Sequence, residues 1–131
     1  MRDQPSGAEL LAAAQKVMRE RILAILPADR KHEALMIANA MSIAARQLEQ
    51  GEAPERAELQ ALAGLCELTP VEAGNPQALH AALVEANREL ASAIRAGAAA
   101  PGQTQRGAIL AHLRQVARQR VLESNPKYLK A

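Results

Sequence analysis

The chain has 131 residues, no Trp and no Phe, and Tyr128 is its one aromatic side chain, which excludes an aromatic core and leaves Leu, Ile, Val, Met and Ala to fill the interior. Sixteen basic and fourteen acidic residues give a net charge of +2, so neither a polybasic nor a polyacidic protein is indicated, and a lone cysteine, Cys66, excludes an internal disulfide. The length fits one domain over residues 1–131, with the scarcity of aromatic and Thr residues arguing against a sheet and the abundance of Ala and Leu arguing for helices.

Five helical segments are predicted. The first runs from Ser6 to Leu26. Ser6 and Glu9 have the spacing of a capping box, Leu11, Ala14, Met18, Ile22 and Ile25 recur at helical intervals, and Pro27 stops the run. The tight Pro27-Ala28 connection predicts an antiparallel second helix, from an Asp29 cap to Gln50, closed by Gly51. This helix is apolar on more than one side: Ala34, Ile37, Ala38, Met41, Ala44, Ala45 and Leu48 form one face, and Met36, Ala40 and Ile43 part of another. Such a helix is expected in the middle of a bundle.

A shorter third helix starts at Pro54, with Leu59, Leu62, Ala63 and Cys66 on one face; Cys66 is therefore expected in the core. Thr69-Pro70-Val71-Glu72 reads as a single capped turn. The fourth helix takes Asn75 as cap and Pro76 as its first residue and runs to about Ala96, with a stripe of Leu79, Leu83, Ala86, Leu90 and Ile94. After the Pro101-Gly102 turn, the fifth continues to about Ser124, with Ile109, Leu113, Val116, Ala117 and Val121 inward. Asn125-Pro126 breaks it, and a tail follows. The expected fold is all-α: a bundle of four long helices and one short one.

The most apolar stretch, Ala34 to Ala45, falls far short of the roughly 18 residues that cross a membrane, and no apolar signal region follows the N-terminus. A cytoplasmic protein with no membrane association is expected.

Charge is unevenly placed: residues 1–48 carry +2, 49–89 carry −6 and 90–131 carry +6. The acidic middle either lies against the basic last helix or offers a partner two faces of opposite potential. A second regularity is an internal echo. His32-Glu33-Ala34-Leu35-Met36-Ile37-Ala38-Asn39 and His80-Ala81-Ala82-Leu83-Val84-Glu85-Ala86-Asn87 share the pattern His-x-Ala-Leu-x-x-Ala-Asn. Coincidence in Ala-rich helices accounts for it, as do buried Asn residues that fix register or a ligand site. If the last, Asn39, Ser42, Asn87 and Arg88 would line it.

Known chemistries find little footing. His32, His80 and His112 stand on three helices, with no His pair at helical metal spacing, and Asp29-x-x-His32 is only half of a di-metal carboxylate motif. Gly97 and Gly102 bound an Ala-rich linker rather than a phosphate loop. No metal, cofactor or catalytic residue is assigned. Arg106, Arg114, Arg118 and Arg120 along the last helix raise nucleic-acid binding as an alternative, against which stands the lack of an interleaved aromatic. Tyr128 and Leu129 either fold back on the protein or, with Pro126 and Arg95, form a docking site for a partner.

Short patches from end to end of the chain resemble a bacterial family described as a domain of unknown function. They are Arg2-Asp3-Gln4-Pro5-Ser6 with Ala8-Glu9-Leu10-Leu11, Ala38-Asn39-Ala40-Met41, Asn87-Arg88-Glu89-Leu90, Ile94-Arg95-Ala96-Gly97 and Asn125-Pro126-Lys127-Tyr128-Leu129. Members of that family are often encoded beside a phosphotransferase similar to aminoglycoside kinases and beside an acyl-CoA dehydrogenase. The resemblance implies an accessory protein for acyl-CoA or related small-molecule metabolism and assigns no catalytic residue; the missing catalytic set, the oppositely charged segments and the Tyr128 tail add the expectation of a non-catalytic accessory or adaptor protein that binds such a partner. A bundle that binds a small molecule or acyl group is the alternative, followed by nucleic-acid binding through the last helix. A second copy of the chain is a further possible partner.

Overall fold

The computed structural model describes residues 4–68 and 73–130. Every regular element among them is helical, as the composition predicts.

Helix α1 covers Gly7–Val17. It starts where both halves of the capping box close: the Ser6 hydroxyl accepts from the Glu9 N–H at 3.3 Å, and the Ser6 N–H donates to the Glu9 carboxylate at 2.6 Å. The helix then widens into a π-helical turn, Met18–Ile22, and ends with Leu23–Ile25. Pro27 forces the preceding Leu26 into extended backbone, which ends the rod.

Helix α2, Lys31–Gln50, follows a 3-10 turn over Ala28–Arg30. Asp29 lies inside that turn instead of capping α2, because the Arg30 N–H closes it onto the Pro27 carbonyl at 3.0 Å and helical winding starts early. Gly51, at φ +58°, ends α2 in a conformation that side chains disfavour.

Helix α3 is Ala53–Leu65 and helix α4 is Pro76–Arg95. The first ends in a Schellman closure, the Leu68 N–H reaching the Ala63 carbonyl at 3.0 Å, with Glu67 in the left-handed position where glycine is usual. The second ends the same way with Gly97, at φ +100°, and the Ala98 N–H on the Ala93 carbonyl. Asn75 caps α4 as expected, accepting from the Ala78 N–H at 2.9 Å. Helix α5 is Arg106–Ser124, and a 3-10 turn covers Pro126–Lys130. The predicted turn over Thr69–Glu72 lies outside the described residues.

The chain forms two compact units. The first comprises residues 1–51 and 123–130. In it α1 packs along α2, and the pairing is antiparallel: Gly7 lies beside Leu48, while Arg19 reaches Asn39. Among the described residues, its buried apolar side chains are all alanines, Ala8, Ala34, Ala38 and Ala45. The second unit, essentially residues 52–122, holds the large side chains. Leu62 from α3, Leu79, Leu83, Ala86 and Leu90 from α4, and Ile109 from α5 form one cluster with Ala73, and Cys66 packs against its edge.

The α4 stripe matches its prediction. Two others do not. Helix α2 is not buried on two sides: Met36, Ile37 and Leu48 are exposed, because its one packed face is the narrow Ala34–Ala38–Ala45 line. In α5, Ile109 is buried but Leu113 is exposed, and His112 takes the inward place. Apolar and polar residues are spread around this helix, so its buried line, at Ile109, His112 and Val116, is turned away from Leu113 and Ala117.

Candidate functional site

The four residues of the predicted ligand site each hold a local partner. In the first unit, the Asn39 Oδ1 accepts from Arg19 Nη2 at 2.6 Å, and the Ser42 hydroxyl donates back to the Ala38 carbonyl of its own helix at 3.0 Å. In the second unit, the Asn87 amide donates to the Leu83 carbonyl at 3.0 Å and to Glu58 at 3.1 Å, which ties α4 to α3. Arg88 pairs with Glu85 at 3.2 Å in an exposed ion pair, a kind worth little. The sequence echo is thus not an echo of environment. Asn39 is exposed and acts as acceptor, whereas Asn87 is half-buried and acts as donor; His32 and His80 are both exposed.

The Arg19–Asn39 bond starts from the π-turn, whose extra residue alters where its side chains project. Such turns recur at functional positions in helices. Nothing in the composition of Met18-Arg19-Glu20-Arg21-Ile22 distinguishes it from an ordinary helical segment, so sequence reasoning had no signal for it.

The tail gathers three predicted residues on one short element. Pro126 and Leu129 are half-buried, while Tyr128 is 75% exposed. The Tyr128 N–H closes the turn onto the Asn125 carbonyl at 3.1 Å. Arg46 of α2 fastens the base of the turn, donating from Nε to the Glu123 carbonyl at 2.6 Å and from Nη2 to the Ser124 carbonyl at 3.1 Å. Within this turn Leu129 is thus partly covered and Tyr128 stands out. Arg95, the fourth predicted partner-binding residue, belongs to the second unit, exposed in the last turn of α4.

Among the described residues, no three His, Cys, Asp or Glu side chains are grouped to hold a metal ion. Burial against the core pushes the Cys66 thiol up from its ordinary value, and the Glu89 carboxylate adds to the effect. This disfavours the thiolate a nucleophile needs. An open hollow of about 490 Å³ lies in the second unit at the end of α4, lined by Ala93, Ala96, Gly97, Gln103 and Thr104 among others. Arg106 holds this loop, donating to the Ala99 carbonyl at 2.6 Å. Small side chains and backbone line the hollow, with no charged group to fix a ligand. Arg114, Arg118 and Arg120 are exposed on α5. No helix is long and apolar enough to cross a membrane, among the described residues.

Sequence reasoning missed the exposed aliphatic side chains of the first unit. Leu10, Val17, Ile37 and Leu48 are each about half exposed or more. Their helical spacing was legible, but not that the buried positions among the described residues of this unit would be alanines, with Leu11, Met18 and Met41 only partly buried.

The family model described as Domain of unknown function (DUF6285) matches residues 24–128. No curated protein and no solved structure matches the chain.

Proposed function

The chain belongs to this family, and on that premise we propose that it is a non-catalytic accessory protein that docks onto a partner protein through its C-terminal turn. The observation that carries the reading is Tyr128: the one aromatic side chain is largely exposed, on a turn held by half-buried Pro126 and Leu129 and by the Arg46 bonds. A fixed, exposed tyrosine loses little freedom on binding and offers a large contact area with a polar tip. The genomic setting implied by the resemblance points to the partner's class, a phosphotransferase similar to aminoglycoside kinases or an acyl-CoA dehydrogenase, in the cytoplasm of a bacterium.

The test is capture of partners by the tagged full chain from its native host at moderate salt, read by mass spectrometry, with Tyr128→Ala in parallel. Recovery of either enzyme with the wild type, falling about tenfold or more with Tyr128→Ala, is the expected result. Equal recovery with both proteins removes Tyr128 as the anchor, and recovery of neither enzyme ends the reading.

A further inference from the structure

The line of α5 packed into the second unit is Ile109, His112 and Val116. The opposite side of the helix carries Gly107, Ala111, Arg114, Gln115 and Arg118, all exposed. A Cβ added at Gly107 would meet nothing within 4 Å, so the face is open there. Arg114 and Arg118 stand one turn apart, and among the described residues neither takes part in a hydrogen bond or an ion pair. Elsewhere Arg30, Arg56 and Arg88 each have a carboxylate three or four residues away, on Glu33, Glu52 and Glu85. Around Arg114 and Arg118 the same places hold Leu110, Ala111, Gln115, Ala117, Val121 and Leu122, and each other. Two like charges one turn apart destabilise a helix that has no anion to relieve them.

We infer that this face of α5 binds the phosphate backbone of a nucleic-acid duplex. Charge complementarity carries the inference. Over residues 52–122 all seven acidic residues precede Leu90 and five of the seven basic ones follow it, so the unit is neutral as a whole but α5 is basic, with no acidic residue before Glu123. The basic groups of α5 are all arginines, whose planar guanidinium takes a phosphate through two parallel hydrogen bonds. Side chains one turn apart have their Cβ atoms about 5 to 6 Å from each other. A duplex presents roughly three phosphates over that length, so both guanidinium groups find one in any register. Between Gly107 and Arg118 the face has no large apolar side chain to anchor a protein partner or to enter a membrane. The lack of an aromatic on it removes the stacking that holds single strands, which leaves the duplex backbone as occupant. Contact with phosphates alone reads no base sequence. Tyr128 belongs to the other unit and plays no part, so this inference stands or falls apart from the proposed function.

The experiment is fluorescence anisotropy of a labelled DNA duplex of about 20 base pairs, titrated with the full chain up to about 100 μM at about 20 to 200 mM salt. Micromolar binding is expected at the lowest salt, alike for two unrelated sequences, with log K falling against log salt at a slope of about −2 for two phosphate contacts. The double variant Arg114→Ala, Arg118→Ala is expected to bind at least about tenfold more weakly at low salt and to lose that slope. Its helical circular dichroism should be unchanged, since both side chains are exposed and Ala favours helix. Arg30→Ala, Arg88→Ala removes the same charge from carboxylate-paired positions and should bind within about twofold of the wild type, as should Tyr128→Ala. No binding at the lowest salt overturns the inference. So does undiminished binding by the folded α5 variant, or an equal loss in the Arg30, Arg88 variant.

Discussion

Arg46 and Glu123 are 77 positions apart in sequence, yet the Arg46 guanidinium bonds the Glu123 backbone carbonyl at 2.6 Å. The last carbonyls of a helix have no partner within it, so this side chain supplies from α2 what α5 cannot supply itself. With its second bond, to Ser124, it fixes the point from which the Tyr128 turn departs.

Arg46→Ala is therefore expected to destabilise the first unit by about 1.5 to 2 kcal/mol, the lower part of the range for charged hydrogen bonds, because the Ser124 bond is exposed. Chemical denaturation checks the magnitude. Hydrogen exchange checks the place: the Tyr128 amide should exchange faster while amides of α4 keep their protection.

The capping box gives a pH dependence. The Ser6 backbone N–H, then its hydroxyl, hold the Glu9 carboxyl below its ordinary value of 4.5. A carboxyl lowered on folding adds stability above its unfolded pKa and loses it as pH falls through the folded one. Glu9→Gln should melt below the wild type at pH 7, and the gap should close on acidification below that lowered value. A gap that is constant over this range contradicts the assignment.

Cys66 should react slowly. With its thiol raised, first by burial and then by Glu89, its alkylation by iodoacetamide should reach half its maximal rate at a higher pH than free cysteine. Glu89→Gln should move that midpoint down only part of the way, since burial is the larger cause. A midpoint below that of free cysteine would contradict the raised thiol.

Core truncations should separate inside from outside. Leu62, fully buried in the second unit, should lose about 2 to 5 kcal/mol on substitution by Ala. Ile25 in the first unit is 78% exposed, and its change to Ala should fall within about 0.5 kcal/mol. Urea unfolding of the two variants measures the contrast.

The ends of the helices were legible because their signals are local: Ser6 with Glu9, Asn75 before Pro76, and Gly51 and Gly97 each speak to the nearest turn of backbone. So was the α4 stripe, whose leucines recur on a single line. In α5, several lines are equally apolar, and only the packing selects Ile109 and His112 over Leu113. In α2, Ala and Ile occupy neighbouring lines, and the close approach of α1 takes the alanines. The polar groups of the predicted ligand site followed the same rule. Asn39 and Asn87 look alike in sequence, but Arg19 and Glu58, distant along the chain, decide what each one does.

The π-turn at Met18–Ile22 has a consequence for how the gene can change length. Such a turn holds one residue more than the α-helix on either side requires. A single-codon loss between Val17 and Leu23 can be absorbed by rewinding, which leaves Leu11 upstream and Pro27 downstream in register. The same loss within Pro76–Arg95 would swing every later side chain by about 100° and move the leucine stripe off the core. Tolerance of deletion is thus concentrated in five residues of the first rod, and its cost there falls on the aim of Arg19 at Asn39.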